Sequence, residues 1–362
     1  MDLDNLKTDC WYFRGDVPCQ PSKLYNVTCN NCAYYKNYTG RILIIKLGAA
    51  GDVIRTTPLL FPLKKYFPNH KVFWLTYHID LLPQKSSICV DEPLLMNIQN
   101  ILFLQQTEFD ILINLDKDRE ALALASKINA KTKYGFYLKD GICYPLSSNS
   151  QHKYLTGIFD EISKANTKNY LQEIFEICGY TYSGEEYILE LDDSFDKSFN
   201  INKSKKIIGL NTGCGSRWSS RLWSDNHWIK LIELLLKNNY EVVLLGGEYE
   251  DLKNRNLAEL TNAKYFGHFP IKTFLHLINK CDLIVTQVTM ALHIAIGLKK
   301  KIVLMNNIFN SKEFELFGRG IIIQPRKECK CYYSQKCINK EYNCMDFLYP
   351  EDVFNSINKL LL

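Results

Sequence analysis

The sequence predicts an α/β protein of two halves, each with strands and helices alternating around a parallel sheet. Three observations predict it. First, short apolar runs recur and lead through turns into helical patterns, as in Arg41–Leu47, Ile207–Leu210 and Asp282–Gln287. Second, residues 191–205 are polar and charged, and they read as a linker between the halves. Third, 362 residues suffice for two domains at about 100–200 residues each.

Taken in order, the first half opens with a strand over Arg41–Leu47 and a tight turn at Gly48–Asp52, then a helix from Val53 to Tyr66. This turn lacks the three spaced glycines of a dinucleotide site. Asp52 reads as an N-cap, or as a carboxylate held where ligands bind in open α/β sheets. Strands follow at Val72–Tyr77, Ile98–Leu104, Phe109–Leu115 and Lys133–Leu138, with a helix at Arg119–Ile128. Asp116 to Arg119 read as a solvated turn. Residues 147–168 read as an acceptor-side loop with a helix, and Leu171–Cys178 as a helix closed by Gly179.

The second half begins with Ile207–Leu210. A glycine-rich turn follows at Gly213 and Gly215, then Arg217 and Arg221. Ser224 and Asp225 form the cap region of a helix carrying Trp228, Leu231, Ile232 and Leu235. A strand, free backbone donors, fixed positive charge and a helix start together make a place for an anion, most often a phosphate. An ordinary connection with two solvated arginines is the alternative. Glu241–Leu245 is a strand, and Glu248, Glu250 and Asp251 follow it, suited to ribose hydroxyls or to a helix N-terminus. Lys264–Gly267 reads as a short strand and Ile271–Asn279 as a helix. Asp282–Gln287 is a strand, and the helix Thr289–Ile296 carries His293. The start of that helix, with Thr286, Thr289 and Met290, is a second anion site. Lys301–Met305 is the next strand, and Pro350–Leu361 the closing helix.

Eight of the 13 cysteines fall in two groups of four: Cys10, Cys19, Cys29 and Cys32, then Cys329, Cys331, Cys337 and Cys344. Each group is expected to hold a structural metal, with zinc ahead of iron or an iron–sulfur cluster. The N-terminal segment is too small to build its own core, so a metal would account for its order. Free thiols are the alternative. No apolar run approaches the roughly 18 residues of a membrane span, and no signal peptide is expected, so a cytoplasmic location is. The net charge of +5 makes no case for nucleic acid.

Three passages resemble glycosyltransferase family 9, the ADP-heptose heptosyltransferases: residues 44–58, residues 211–223 with 244–248, and residues 282–298. Their order and spacing match over residues 41–325. The resemblance implies a GT-B fold, two Rossmann-like domains facing across a cleft, here with Cys-rich terminal segments. The expected division is a Cys-rich arm (1–40), an acceptor domain (41–195), a nucleotide-sugar donor domain (205–325) and a Cys-rich knuckle with a closing helix (326–362). It implies inverting sugar transfer without a catalytic metal, from a nucleotide-diphosphate sugar, ADP-heptose above all, to a glycan, lipid-linked or protein hydroxyl. By this match Asp52 is the general base and Arg221 binds the donor diphosphate. Thr212 and Gly213 lie in the donor loop, and Glu250 falls near the ribose-binding carboxylate. Thr289, Met290 and His293 fall at the phosphate-binding helix start. Val288 stands where the family usually has aspartate. The C-terminal cysteines resemble a cluster seen near the end of several members, which keeps iron beside zinc.

Three functions compete at this stage. The first is a cytoplasmic sugar transferase. The second is a metal-binding scaffold with a decayed cleft, favoured by Val288 and opposed by Asp52, Arg221, Glu250 and His293. The third is a redox or iron–sulfur protein. The charge and the 22 Tyr, 19 Phe and 5 Trp are compatible with peripheral docking on an anionic membrane surface. A homo-oligomer is left open.

Overall fold

Ile42 to Ile45 are fully buried, as a strand covered on both faces requires. They form β1 (Gly40–Ile45) of the first sheet in the computed structural model, which describes residues 3–362. That sheet continues with β2 (His70–Thr76), β3 (Glu92–Leu95), β4 (Glu108–Asn114), β5 (Asn129–Lys139) and β6 (Ile142–Pro145). Its order is β3-β2-β1-β4-β5-β6, parallel throughout except that β6 runs antiparallel to β5. The second sheet holds β7 (Ile207–Asn211), β8 (Glu241–Leu245), β9 (Leu283–Gln287), β10 (Lys301–Met305) and β11 (Gly320–Ile323). It is parallel in the order β11-β10-β9-β7-β8.

The chain forms two compact units. One comprises residues 3–47, 59–79 and 84–147, and the other residues 48–58, 80–83 and 148–362. The first unit packs Leu43, Ile45, Phe73, Leu75, Phe109 and Leu112 against the helix face of Ala121, Leu124 and Ala125. The second packs Ile208, Leu210, Leu244, Val285 and Val303 against Trp223, Trp228, Leu231 and Leu235, and against Val353 and Ile357 of the closing helix. That helix runs over Pro350–Leu361, as its sequence predicts.

Several expectations are corrected. Ile98–Leu104 is helical, in a helix over Ile98–Gln105, because the Asn97 side chain caps it by accepting from the Asn100 amide at 2.9 Å. The helix expected from Val53 to Tyr66 is two helices, Ala50–Thr56 and Leu60–Tyr66, joined by a 3-10 turn at Thr57–Leu59. Pro58 has no N–H to continue the helical ladder. Lys264 contributes one bridge to Val243 and no strand. Asp116 is not in a solvated turn. It is buried, and it accepts from the Lys46 ammonium and the Leu47 amide inside the first unit. Among the described residues, no helix is long and apolar enough to cross a membrane.

Candidate functional site

Helix Ala50–Thr56 in the second unit carries Asp52 in its first turn, two residues inside the start expected from a cap. The N-cap is Ala49, so the Asp52 carboxylate is not used as a cap. It pairs with Arg55 one turn on, at 2.9 Å. The other side of the Arg55 guanidinium meets Glu313 at 2.7 Å, and its plane lies 3.7 Å from the centre of the Tyr170 ring. Tyr170 is tied in turn to Thr56 through a 2.8 Å hydroxyl contact. Burial works against the Arg55 charge, yet Asp52 and Glu313 hold it firmly protonated. Burial likewise opposes the Glu313 charge, while Arg55 and Lys153 hold its carboxyl below the usual range. Lys153 is itself bound to buried Glu173 at 2.6 Å.

This helix packs on helix Met290–Gly297, and the contact explains a glycine. A Cβ at Gly51 would collide with the His293 ring. Any larger residue would therefore lift the turn that presents Asp52. His293 is buried, and its Nδ1 has no hydrogen-bond partner. Burial, reinforced by Arg55 and opposed by Asp52 and Glu313, pushes its pKa down to about 3. His293 is therefore a neutral ring at working pH. It supports the helix from below rather than supplying charge.

Thr289 caps the same helix, its hydroxyl accepting from the Ala291 amide at 3.2 Å. Met290 is the first helical residue. The Thr289 hydroxyl also contacts those of Thr286 at 3.1 Å and the Asn211 amide at 3.3 Å. These side-chain bonds lock the turn between β9 and the helix to the end of β7.

The loop after β7 holds the remaining predicted residues. Thr212 is buried and donates to Asn254 at 2.5 Å, so its hydroxyl braces the loop from behind. Gly213 is needed for space, since a Cβ there would strike the Glu250 carboxylate. Glu250 is nearly buried. Its two oxygens accept from the Gly215 amide at 3.0 Å and the Gly247 amide at 2.9 Å, clamping the loops after β7 and β8 together. Its remaining lone pairs can still accept from hydroxyls. Arg217 is exposed, whereas Arg221 is 6% exposed.

Arg221 sits at the end of a 3-10 turn, Ser219–Arg221. One nitrogen donates to the Val288 carbonyl, just before the Thr289 cap, so the guanidinium lies beside that helix start. Its plane lies 5.4 Å from the Trp218 ring and 5.5 Å from Phe309. Among the described residues no carboxylate pairs with it; the Cys214 thiol contacts the guanidinium, and its Nε has no hydrogen-bond partner. Burial lowers its pKa, with only Cys214 pulling the other way. A desolvated guanidinium beside a helix N-terminus is a receptor for an anion.

The C-terminal cysteines lie close to this loop. Cys331 and Cys337 sulfurs are 3.5 Å apart, and the Cys331 amide donates to the Cys329 sulfur at 3.4 Å. The Ile338 amide donates to the Cys331 sulfur at 3.2 Å. A hydrogen bond from Cys329 draws the Cys344 thiol down to about 6. In the first unit, Cys10, Cys19, Cys29 and Cys32 all line one cavity of about 410 Å³. Among the described residues, no three His, Cys, Asp or Glu side chains are already gathered around a point a metal could occupy. None of the 13 cysteines is in a disulfide.

Sequence reading missed Arg55, its partners Glu313 and Tyr170, and Lys153, whose charge also acts on Glu313. The spacing of Asp52 and Arg55, one helical turn apart, was the available signal for the first pair.

The chain has counterparts among known proteins. The model of glycosyltransferase family 9 (heptosyltransferase) matches residues 102–342. Lipooligosaccharide heptosyltransferase 2 of Campylobacter jejuni subsp. jejuni is 23% identical over 337 residues, covering 86% of this chain and 96% of that protein. A family 9 glycosyltransferase from Veillonella parvula superposes with a TM-score of 0.69 at 19% identity, over 90% of this chain and 98% of that one. The ADP-heptose lipopolysaccharide heptosyltransferase II of E. coli superposes with a TM-score of 0.64 at 17% identity, over 89% of this chain and 98% of that one. The two α/β units are thus those of a GT-B fold. With the family model matched over most of its length, this chain belongs to glycosyltransferase family 9, the heptosyltransferases, and is a glycosyltransferase.

Proposed function

We propose that this enzyme transfers a heptose from ADP-heptose, with inversion, to a hydroxyl of a lipooligosaccharide-type glycan. A lipid-linked or protein hydroxyl is the alternative acceptor, and a cytoplasmic location belongs to the same reading. The observation that carries it is Arg221, a buried cation lacking an anionic partner beside the start of helix Met290–Gly297. The donor diphosphate supplies that anion. As the sugar leaves, charge builds on the phosphate oxygens, and Arg221 with the Met290 amide stabilises it. Asp52 takes the proton of the acceptor hydroxyl, a contribution of about 10²–10⁴-fold. Glu250 accepts from ribose hydroxyls, with Thr212 and Gly213 shaping its loop. His293 keeps helix Ala50–Thr56 in place. The heptosyltransferases of C. jejuni and E. coli support the choice of sugar and acceptor by what their names say they handle.

Val288 bears on the scaffold alternative. It meets Arg221 through its carbonyl, so the arginine is held without an aspartate side chain at that position. This supports a working transferase. The test is a panel of nucleotide sugars, ADP-heptose among them, scored by thermal shift and slow donor hydrolysis beside Asp52→Ala. We expect ADP-heptose to raise Tm in both proteins and its hydrolysis to be lost in the variant. Stabilisation by no donor would overturn the reading.

The same reading assigns structural zinc to both cysteine groups, with iron as the alternative, and no metal to the reaction. The donor sets suit it: four thiols line one cavity in the arm, and amide-to-sulfur hydrogen bonds of the kind that support thiolates surround the C-terminal group. Over residues 3–39 only Cys10 and Pro21 are buried, so the arm has no core of its own. Elemental analysis of purified protein tests this. One equivalent of zinc should be lost with Cys29→Ser/Cys32→Ser and another with Cys331→Ser/Cys337→Ser; metal-free wild type would refute it.

A further inference from the structure

Building on the assignment of Arg221 to the donor diphosphate, we propose that the C-terminal cysteine knuckle is a brace that positions Arg221. The state of its thiols then sets the affinity for the donor's phosphates. The contacts are continuous. Residues 333–335 form the loop between Cys331 and Cys337, whose sulfurs close its ends. That loop grips the turn Ser219–Arg221. The Ser220 amide donates to the Gln335 carbonyl at 3.1 Å and its hydroxyl to the Ser334 carbonyl at 2.5 Å. The Ser219 hydroxyl reaches Gln335 at 3.4 Å.

A second strut comes from Asn307. Its amide donates both to the Ser220 carbonyl at 2.9 Å and to the Cys344 sulfur at 3.4 Å. A third is aromatic. Trp218 meets Phe309 and Tyr333 edge-on, each at 5.6 Å, and the Tyr333 amide donates to the Ile308 carbonyl at 2.9 Å. Arg221 lies over Trp218 and Phe309, so the face on which it rests is built from knuckle and turn together.

The energetic logic is preorganisation. A free arginine side chain loses rotamer freedom when a ligand fixes it. Here much of that loss occurs on folding, and Ser220, buried between the two loops, transmits the order. No group of the knuckle needs to touch substrate for this, so its cysteines are positioning residues.

The experiment is calorimetric titration of the full-length protein with ADP, in the variants Cys331→Ser/Cys337→Ser and Ser220→Ala, each also combined with Arg221→Ala. Circular dichroism and Tm report folding. The brace predicts a loss of affinity of about three- to tenfold in each folded variant, at unchanged far-ultraviolet spectrum. It also predicts that the loss vanishes when Arg221 is already alanine, because the knuckle acts through it. Unchanged affinity in Ser220→Ala, or the same loss persisting without Arg221, overturns the proposal. If the cysteine variant does not fold, Ser220→Ala alone decides. Unchanged ADP affinity in Arg221→Ala by itself would instead remove the diphosphate assignment on which the brace rests.

Discussion

Two arginines of the second unit make the most instructive comparison. Arg55, with a side chain 12% exposed, has its charge matched by Asp52 on one side and Glu313 on the other, with Tyr170 against its face, although its Nε, like that of Arg221, has no hydrogen-bond partner. Arg221 is similarly buried but meets a carbonyl, the Cys214 thiol and aromatic faces, and no carboxylate among the described residues. Burying a guanidinium without a counter-charge is costly, and a fold retains it where a ligand brings the charge. Arg55 is therefore architecture, fixing the acid beside it. Arg221, on the proposed reading, is a binding group.

The predictions press on that difference, largest effect first. Asp52→Ala should cut turnover by about 10²–10⁴-fold while leaving ADP affinity and folding intact. Steady-state rates beside calorimetry check it, and normal turnover in a folded protein would remove Asp52 from its role. Arg55→Met should destabilise the fold by about 2 kcal/mol. That is less than the cost of opening a fully buried pair, because Asp52 and Glu313 are partly exposed. Urea unfolding measures it. If Arg55→Met weakened ADP binding more than Arg221→Ala, the division of labour would be reversed.

A smaller effect concerns pH. The pKa of His293 is pushed down to about 3 in the folded chain, against about 6.5 when unfolded. Between those values the unfolded chain binds a proton that the folded chain refuses. The stability associated with neutral His293 is thus complete above about pH 6.5 and falls as pH drops, by up to about 1.4 kcal/mol per unit. His293→Gln should flatten the dependence of Tm on pH between 6.5 and 5. An unchanged slope would show that other groups carry the acid sensitivity.

How much was legible follows from the range of each interaction. β1, β4, β7, β8, β9 and β10 are short buried runs, readable from local apolarity. Asp52, Arg221 and the helix start at Thr289 lie at local turns that the sequence marks, although Asp52 is not the cap it resembles and the capping role of Thr289 is not readable from the sequence. The Arg55 to Glu313 pair spans 258 positions, and no local pattern foretells it. The apolar run at 98–104 could be read either way, and the Asn97 cap decided for helix. The exposed edges β3, β6 and β11 are only four residues long and mostly half-buried, so they carry little periodic signal. Glu250 was found as a carboxylate past a strand, but its clamp on two glycine amides depends on β7 and β8 lying side by side.

The central claim is that Arg221 awaits the donor's diphosphate, and ADP titration of wild type against Arg221→Ala tests it most directly. The account predicts a loss of about 10- to 100-fold in affinity, with the contribution of Arg221 shrinking as salt is raised. Equal affinity for ADP in the two folded proteins would contradict it.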